Sequence, residues 1–307
     1  MKFKATIILF IISLGFSFNS YADGFCEGPL GEEKAIESAA GVITYSGAES
    51  GIGDCSFAPD EYTVIVYEMG LCTSSPTAPT ASSAYETDTC STVINTPAGQ
   101  TLNLAAGSEI ALTGLTRPPN GTYTHAYMLL GNRFGIKATK QFTNTMFQNN
   151  TANSGNFCWT LGGTQTKSDY TDGSPSSAAA SPSAFANCGA EGDAAPATYT
   201  EILDEFDSSG DSQFKYGPVS VESGSLTAYL VTNADSKLVA ADNTADRLFG
   251  MQTLTTSSTV TTDSTAFVVS FGVNQATSND MIDKGVTDQY RVISFESGPF
   301  SAFITVE

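Results

Sequence analysis

Polar and nonpolar residues alternate in short runs along most of this chain, with a period of two residues. The run 62–69 is rich in β-branched and aromatic residues and predicts a buried strand. A further strand is predicted at 300–306, and other short runs are separated by Gly, Pro, Ser and Asn. Helical periodicity is scarce, and only 32–40 and 199–206 predict short helices. The pattern predicts a mainly β fold with few short helices, an antiparallel β-sandwich of jelly-roll or Ig-like type.

The clearest predicted hairpin has its arms at 122–130 and 133–139. The dipeptide Gly131-Asn132 lies between the two arms. Gly and Asn adopt the positive φ angles that a two-residue hairpin turn requires, so this dipeptide favours a tight turn. Two further hairpins are predicted, around residues 105–108 and around residues 233–236.

A compositional break divides the chain into two predicted β regions, 23–162 and 199–307. Residues 163–198 between them are rich in Ser, Ala, Gly and Pro, which is typical of a linker. A long loop inserted within one sandwich is the alternative. A bridge from Cys188 to Cys158 would hold such a loop against the preceding strand.

The start of the chain predicts a secretory signal peptide at residues 1–22. A short basic start is followed by an apolar run at 5–18, and Ser20 and Ala22 fit the small residues of a cleavage site. The apolar run is shorter than the roughly 20 residues that a membrane-spanning helix needs. We therefore expect a protein without a membrane span after cleavage, secreted or on the cell surface, or periplasmic if retained.

Six cysteines follow the predicted signal peptide: Cys26, Cys55, Cys72, Cys90, Cys158 and Cys188. An even number of cysteines in an exported chain predicts disulfides. A zinc site is disfavoured because no Cys-x-x-Cys pair occurs. The preferred connectivity is the sequential one, in which each bridge closes a local loop, although the sequence leaves the other connectivities open.

The balance of charges excludes several classes of partner and reaction. Only 13 Lys and Arg stand against 32 Asp and Glu, for a formal net charge of -19. Nucleic acids and anionic membranes require clustered basic residues, so neither is expected as a partner. The single histidine, His125, and the lack of a Gly-x-Ser-x-Gly motif argue against a hydrolytic triad. A glycoside hydrolase that uses two carboxylates is the remaining enzyme alternative, but no pair is specific enough to name.

A calcium site is the one metal site that the sequence suggests. The side chains of Glu205, Asp207, Ser209 and Asp211 offer alternating oxygen ligands around a turn, which is the chemistry that Ca²⁺ prefers. Tyr216 stands where an EF-hand loop has its bidentate Glu. An exposed acidic turn is therefore the favoured interpretation, and any bound calcium would be structural. No other cofactor is expected.

An aromatic stripe is the candidate ligand-binding feature. Alternation along the strand places Tyr123, His125 and Tyr127 on one face. Such a stripe would stack on sugar rings if it were exposed, whereas packing between sheets is the more common role of such residues.

These features predict an exported, non-catalytic structural or cell-surface protein, a subunit of a filament, sheath or other surface assembly. Self-association or binding of other surface proteins would use edge strands or the terminal strand at 300–307. The alternative function is a secreted carbohydrate- or ligand-binding β-sandwich module, similar in role to an adhesin or lectin.

Overall fold

The protein is mainly β, as the alternating pattern predicts. The computed structural model describes residues 25–27, 35–45, 52–104, 115–148, 153–166, 186–206, 213–221, 223–241, 244–264, 267–286 and 289–306. Its strands in chain order are β1 (Phe25–Glu27), β2 (Ala35–Glu37), β3 (Val42–Tyr45), β4 (Ile52–Phe57), β5 (Glu61–Cys72), β6 (Cys90–Asn103), β7 (Gly121–Gly131), β8 (Arg133–Lys137), β9 (Thr139–Gln148), β10 (Ser154–Thr160), β11 (Gly163–Thr166), β12 (Ala186–Gly189), β13 (Tyr199–Ile202), β14 (Lys215–Val221), β15 (Gly224–Val231), β16 (Arg247–Val260), β17 (Phe267–Gly272), β18 (Thr277–Val286), β19 (Gln289–Ser297) and β20 (Ser301–Val306). Within these residues the only helical element is a short 3₁₀ turn at Glu191–Asp193.

Two large sheets enclose one hydrophobic core. The first sheet has the order β1-β4-β18-β19-β9-β10-β12, with β3 also paired to β9 and β2 to β3. The second has the order β11-β13-β8-β5-β7-β16-β15-β14, with β6 paired to β5, and β17 and β20 form a separate two-stranded sheet. Buried residues of both large sheets, such as Phe142 and Phe295 in the first and Val64 and Leu130 in the second, belong to one cluster. This is sandwich-like packing, in which alternate side chains of each strand face inward.

Both large sheets combine strands from the two predicted β regions. In the first sheet β18 pairs with β4 and β19 pairs with β9, and in the second β16 pairs with β7 and β13 with β8. One sandwich with an inserted loop would produce such sharing. The region boundaries themselves stay a prediction, and much of the predicted linker, residues 167–185, lies outside the described residues.

The tight hairpin predicted at Gly131-Asn132 is wrong. Strands β7 and β8 do not pair with each other, because both run antiparallel to the same edge of β5. The chain continues through Asn132, whose buried side-chain amide donates to the carbonyl oxygens of Leu203 (3.1 Å) and Ala245 (2.9 Å). Between the pairs Val66↔Leu130 and Thr63↔Gly135, the β7–β8 chain uses more residues than β5 does. The extra residues form a bulge, and the local preference for a turn yields to this long-range pairing.

Both predicted helices are also wrong where the structure describes them. Within 32–40 the chain forms β2 and then a turn, and within 199–206 it forms β13. Tyr199 and Glu201 are buried while their neighbours are partly exposed, which is the period of a strand held between two partners. Pairing with β8 and β11 therefore decides the conformation of this segment.

Other predictions have mixed outcomes. The turn at 233–236 is confirmed, since the backbone N–H of Ser236 donates to the carbonyl oxygen of Thr232 (3.0 Å) and Ser236 has a φ of 58°. The signal peptide 1–22 and the hairpin around 105–108 lie outside the described residues and stay predictions.

A buried glutamine joins the two-stranded sheet to the second large sheet. The side-chain N–H group of Gln252 on β16 donates to the carbonyl oxygen of Ala302 on β20 (3.1 Å) and to Ser223 Oγ (2.6 Å). The backbone N–H of Ala302 donates in return to Gln252 Oε1 (3.2 Å). The amide therefore hydrogen-bonds to the edge of β20 as a neighbouring strand would.

Replacing this glutamine tests the link between the sheets. Gln252→Leu leaves the buried N–H group of Ala302 without its acceptor, while the carbonyl oxygen keeps only the hydroxyl of Ser223 (3.2 Å) as a donor, so the free energy of unfolding should fall by about 1–3 kcal/mol. Urea denaturation at neutral pH measures the loss. The neighbouring exposed residue supplies a control, because Thr253→Val should change stability by less than about 0.5 kcal/mol. A Gln252→Leu protein as stable as the control would contradict the assigned role.

Candidate functional site

Disulfides connect neighbouring strands across the sheets. Cys72 is bonded to Cys90, which joins β5 to β6, and Cys158 is bonded to Cys188, which joins β10 to β12. In each bridge the two cysteines lie directly opposite each other in an antiparallel register. Both bridges agree with the sequential connectivity preferred from the sequence.

The third sequential pair is described only in part. Cys55 on β4 is disulfide-bonded, and the backbone of Cys26 on β1 lies directly opposite it. The side chain of Cys26 lies outside the described residues, so the pairing Cys26–Cys55 stays a prediction.

A second, smaller hydrophobic cluster lies on the side of the second sheet that faces away from the main core. We call it the outer cluster, and it consists of Cys72, Tyr127, Tyr229, Val231 and Phe249. The connection 73–89 between β5 and β6 covers it, with the ring of Tyr85 stacked on that of Phe249 at a centroid distance of 4.0 Å. Backbone hydrogen bonds from Tyr85 to Ser236 and from Leu238 to Thr80 hold this connection down. The disulfide at its two ends completes the attachment.

Tyr127 is the polar centre of the outer cluster. Its hydroxyl donates to the carboxylate of Glu68, and Thr92 Oγ1 lies 3.0 Å from the same hydroxyl and 3.1 Å from Glu68 Oε1. Burial raises the pKa of Tyr127 above its ordinary value, and the Glu68 carboxylate raises the pKa further. A side chain at Gly70 would collide with the Tyr127 ring, so the ring can occupy this position only because residue 70 is glycine. The hydroxyl therefore serves as a structural donor inside the fold.

The structure separates the three residues of the predicted stripe. Tyr123 belongs to the main core, with its hydroxyl donating to the carbonyl oxygen of Pro119 (2.7 Å), whereas Tyr127 belongs to the outer cluster. A large irregularity in β16, between the partners of Tyr123 and His125, interrupts the alternation. His125 is half-buried, and its Nδ1 lies 2.8 Å from Thr124 Oγ1. Burial lowers the pKa of His125. The two tyrosine rings are almost fully buried, and a ligand-binding role for the stripe stays a prediction.

Most of the candidate calcium site lies outside the described residues. The structure does not describe Asp207, Ser209 or Asp211, and the carboxylate of Glu205 accepts a hydrogen bond from the Gln213 side chain. In the described part of the chain no three His, Cys, Asp or Glu side chains gather as a metal site would require. Calcium binding stays a prediction.

A cleft of about 370 Å³ opens beside the bulge at Asn132, and we call it the bulge cleft. Its polar lining includes Asn132, Arg133, Asp204, Asp246 and Arg247, with the ring of Tyr67 beside them. The guanidinium of Arg247 lies 3.8 Å from the centroid of the Tyr67 ring and donates to the Asp246 carbonyl oxygen at 2.8 Å. Arg133 is exposed at the rim, and Asp204 is buried.

The bulge cleft combines donors, acceptors and an aromatic ring in one small space. Guanidinium and carboxylate groups together bind hydroxyl groups from both sides, because one donates and the other accepts. Sequence reasoning missed these residues, since the pairings β8–β13 and β7–β16 bring them together from distant segments. The only signal in the sequence is the scarcity of cations, with 13 Lys and Arg in the chain. The site is suited to binding a small polar ligand.

The buried tyrosine hydroxyl predicts a specific pH dependence of stability. An unfolded tyrosine ionises near pH 10, whereas Tyr127 keeps its proton above that pH, so the free energy of unfolding should fall as the pH rises above about 10. Tyr127→Phe should lower stability at pH 8 by about 1–3 kcal/mol and make the decline between pH 10 and 11.5 shallower. Urea denaturation across this range measures both effects. Tyr216→Phe, at the surface, should leave the decline unchanged, and equal slopes in Tyr127→Phe and wild type would contradict the prediction.

No protein-family model, no curated protein and no solved structure matches the chain.

Proposed function

We propose that this protein is an exported, non-catalytic structural or cell-surface protein, a subunit of a filament, sheath or other surface assembly. The observation that supports the proposal most directly is the pair of disulfides between neighbouring strands, Cys72–Cys90 and Cys158–Cys188. Such bonds form and persist outside the reducing cytosol. They link neighbouring strands covalently, which suits a protein that must keep its shape.

In the described residues no helix is long and apolar enough to cross a membrane. The composition of the chain supports a role at the surface of a cell or in its surroundings. The chain has few charged residues for its size, 15%, so Ser, Thr, Asn and Gly supply much of its polar surface. A surface of this composition, with a net charge of -19, keeps individual copies dispersed until a specific contact forms.

Electron microscopy tests the proposal. Negative staining of purified protein and of the producing cell's surface should show filaments, sheets or a coat. The double variant Cys72→Ala, Cys90→Ala should lower the free energy of unfolding by about 2–4 kcal/mol and reduce the amount of ordered assembly. Dispersed protein in the culture medium, with no filament, sheet or coat in either preparation, would reject the proposal.

The bulge cleft supports a second candidate function, the binding of a saccharide or another small polar ligand. Arg247 and Asp246 offer the donors and acceptors that sugar hydroxyl groups require, and the Tyr67 ring packs against the Arg247 guanidinium and so positions it in the cleft. Whether the cleft serves in adhesion or in holding an assembly to a glycan, the same residues would bind the ligand.

A glycan array tests the second function. Wild-type protein should bind a defined set of saccharides, and Arg247→Ala should reduce that binding by about tenfold or more through the lost charged hydrogen bonds. Arg117→Ala is the matched control, because Arg117 contacts Thr261 near the opposite end of β7. Equal loss of signal in the two arginine variants, or no signal from the wild type, would reject the cleft as a saccharide site.

A further inference from the structure

Strand β17 has one edge without a strand partner among the described residues. It pairs along its full length with β20, from Phe267↔Val306 to Gly272↔Ser301, without a register shift. No other described strand hydrogen-bonds to β17. A two-stranded sheet is only marginally stable by itself, so a further strand would complete it.

The contacts of Gln252 identify which groups of β17 face the open edge. The N–H and C=O groups of Ala302 are bonded to Gln252 and therefore point away from β17. Ala302 lies opposite Phe271, so these two residues form a non-hydrogen-bonded pair of the antiparallel ladder. By alternation, the N–H and C=O groups of Phe267, Val269 and Phe271 point to the open edge of β17.

Apart from the outer edge of β20, where the Gln252 side chain bonds to Ala302, every other sheet edge in the described part of the chain is short or interrupted. Strands β1, β2, β11 and β12 have only three or four residues. Strand β6 contains Pro97 and pairs with β5 through two register shifts, and β14 contains Pro218 and a register shift. Short strands, prolines and irregularities are the features that prevent unwanted strand pairing. The edge of β17 lacks all three.

The charge of this edge limits what can pair with it. Neither β17 nor β20 contains a charged residue, in a chain with a net charge of -19. Two copies of this chain would repel each other over most of their surfaces, and an uncharged edge is where they approach with least repulsion. The sequence Phe-Val-Val-Ser-Phe of β17 is also rich in residues that favour strands.

We propose that the open edge of β17 pairs with β17 of a second copy. An antiparallel pair of identical strands has a two-fold axis, so the contact is self-complementary and closes as a dimer. The product is a four-stranded sheet in the order β20-β17-β17-β20, shared by two copies. The inference rests on the proposed assembly role and names the contact that would build the assembly's basic unit.

A proline variant tests this contact. Val269→Pro removes an N–H group that faces the open edge while leaving the hydrogen bonds from Val268 and Ser270 to β20 in place. Sedimentation velocity over a concentration series should show dimers for wild type and at least about tenfold weaker dimerisation for Val269→Pro. Val269→Ala keeps the N–H group and is the matched control, which should dimerise as wild type does.

Hydrogen exchange of the wild-type protein provides a measurement that needs no variant. The amides of Val269 and Phe271 should exchange more slowly as the protein concentration rises, whereas the amide of Ser270, bonded to β20, should change little. Concentration-independent exchange at Val269 and Phe271 would overturn the inference, even if Val269→Pro fails to fold. Equal dimerisation of Val269→Pro and wild type would also overturn it.

The outcomes separate this inference from the proposed function. Suppose that surface filaments persist in the Val269→Pro variant and that amide exchange at Val269 of the wild-type protein does not depend on concentration. These results would reject the β17 contact and keep the assembly role. Wild-type protein that is monomeric at every concentration and forms no surface structure would reject both.

Discussion

Strand β5 is the element on which the second sheet depends, because it pairs along both edges and buries side chains on both faces. One edge pairs with β6, and the other pairs first with β8 and then with β7. Toward the main core it presents Tyr62, Val64 and Val66, and at its end Cys72 enters the outer cluster. Because both edges of β5 are paired and both of its faces are buried, its register is fixed, and the strands around it must adapt.

The bulge at Asn132 is one such adaptation, and it creates the bulge cleft. Because β7 and β8 share one edge of β5, the chain between them must leave and rejoin that edge. The displaced backbone carbonyl of Asn132 accepts a hydrogen bond from the N–H of Leu203 (2.7 Å), and the Asn132 side chain donates to the carbonyl oxygens of Leu203 and Ala245. The pairing of β16 with β7 then places Arg247 opposite Gly131, beside this displaced segment. The cleft is thus a by-product of sheet geometry that supplies polar groups at one point of the surface.

The sequence predicted the features that depend on residues close together in the chain. The β-rich run at 62–69, the turn at 233–236 and the Cys72–Cys90 and Cys158–Cys188 bridges all follow from residue types and spacing close together in the chain. Long-range pairing decided the rest. Tyr199 enters a strand because β8 and β11 flank it.

The candidate site shows the same division more strongly. Alternation alone would keep Tyr123 and Tyr127 on one face, but the irregularity in the partner strand β16 places them in different clusters. Arg133 and Arg247 meet at the bulge cleft only because two separate strand pairings bring them there. The alternation of polar and nonpolar residues within each segment does not indicate which distant strand it pairs with, so no residue of the cleft could be predicted from the sequence.

The cross-strand disulfides have a mechanical consequence. When a folded chain is pulled from its ends, force passes through the covalent path, and a disulfide between neighbouring strands excludes the enclosed segment from that path. The bridges enclose segments with sequence separations of 18 and 30 residues. Fully stretched, those segments would add about 60 Å and about 100 Å of length. Under oxidising conditions the disulfides prevent this extension, and the connection 73–89 over the outer cluster carries no tensile load.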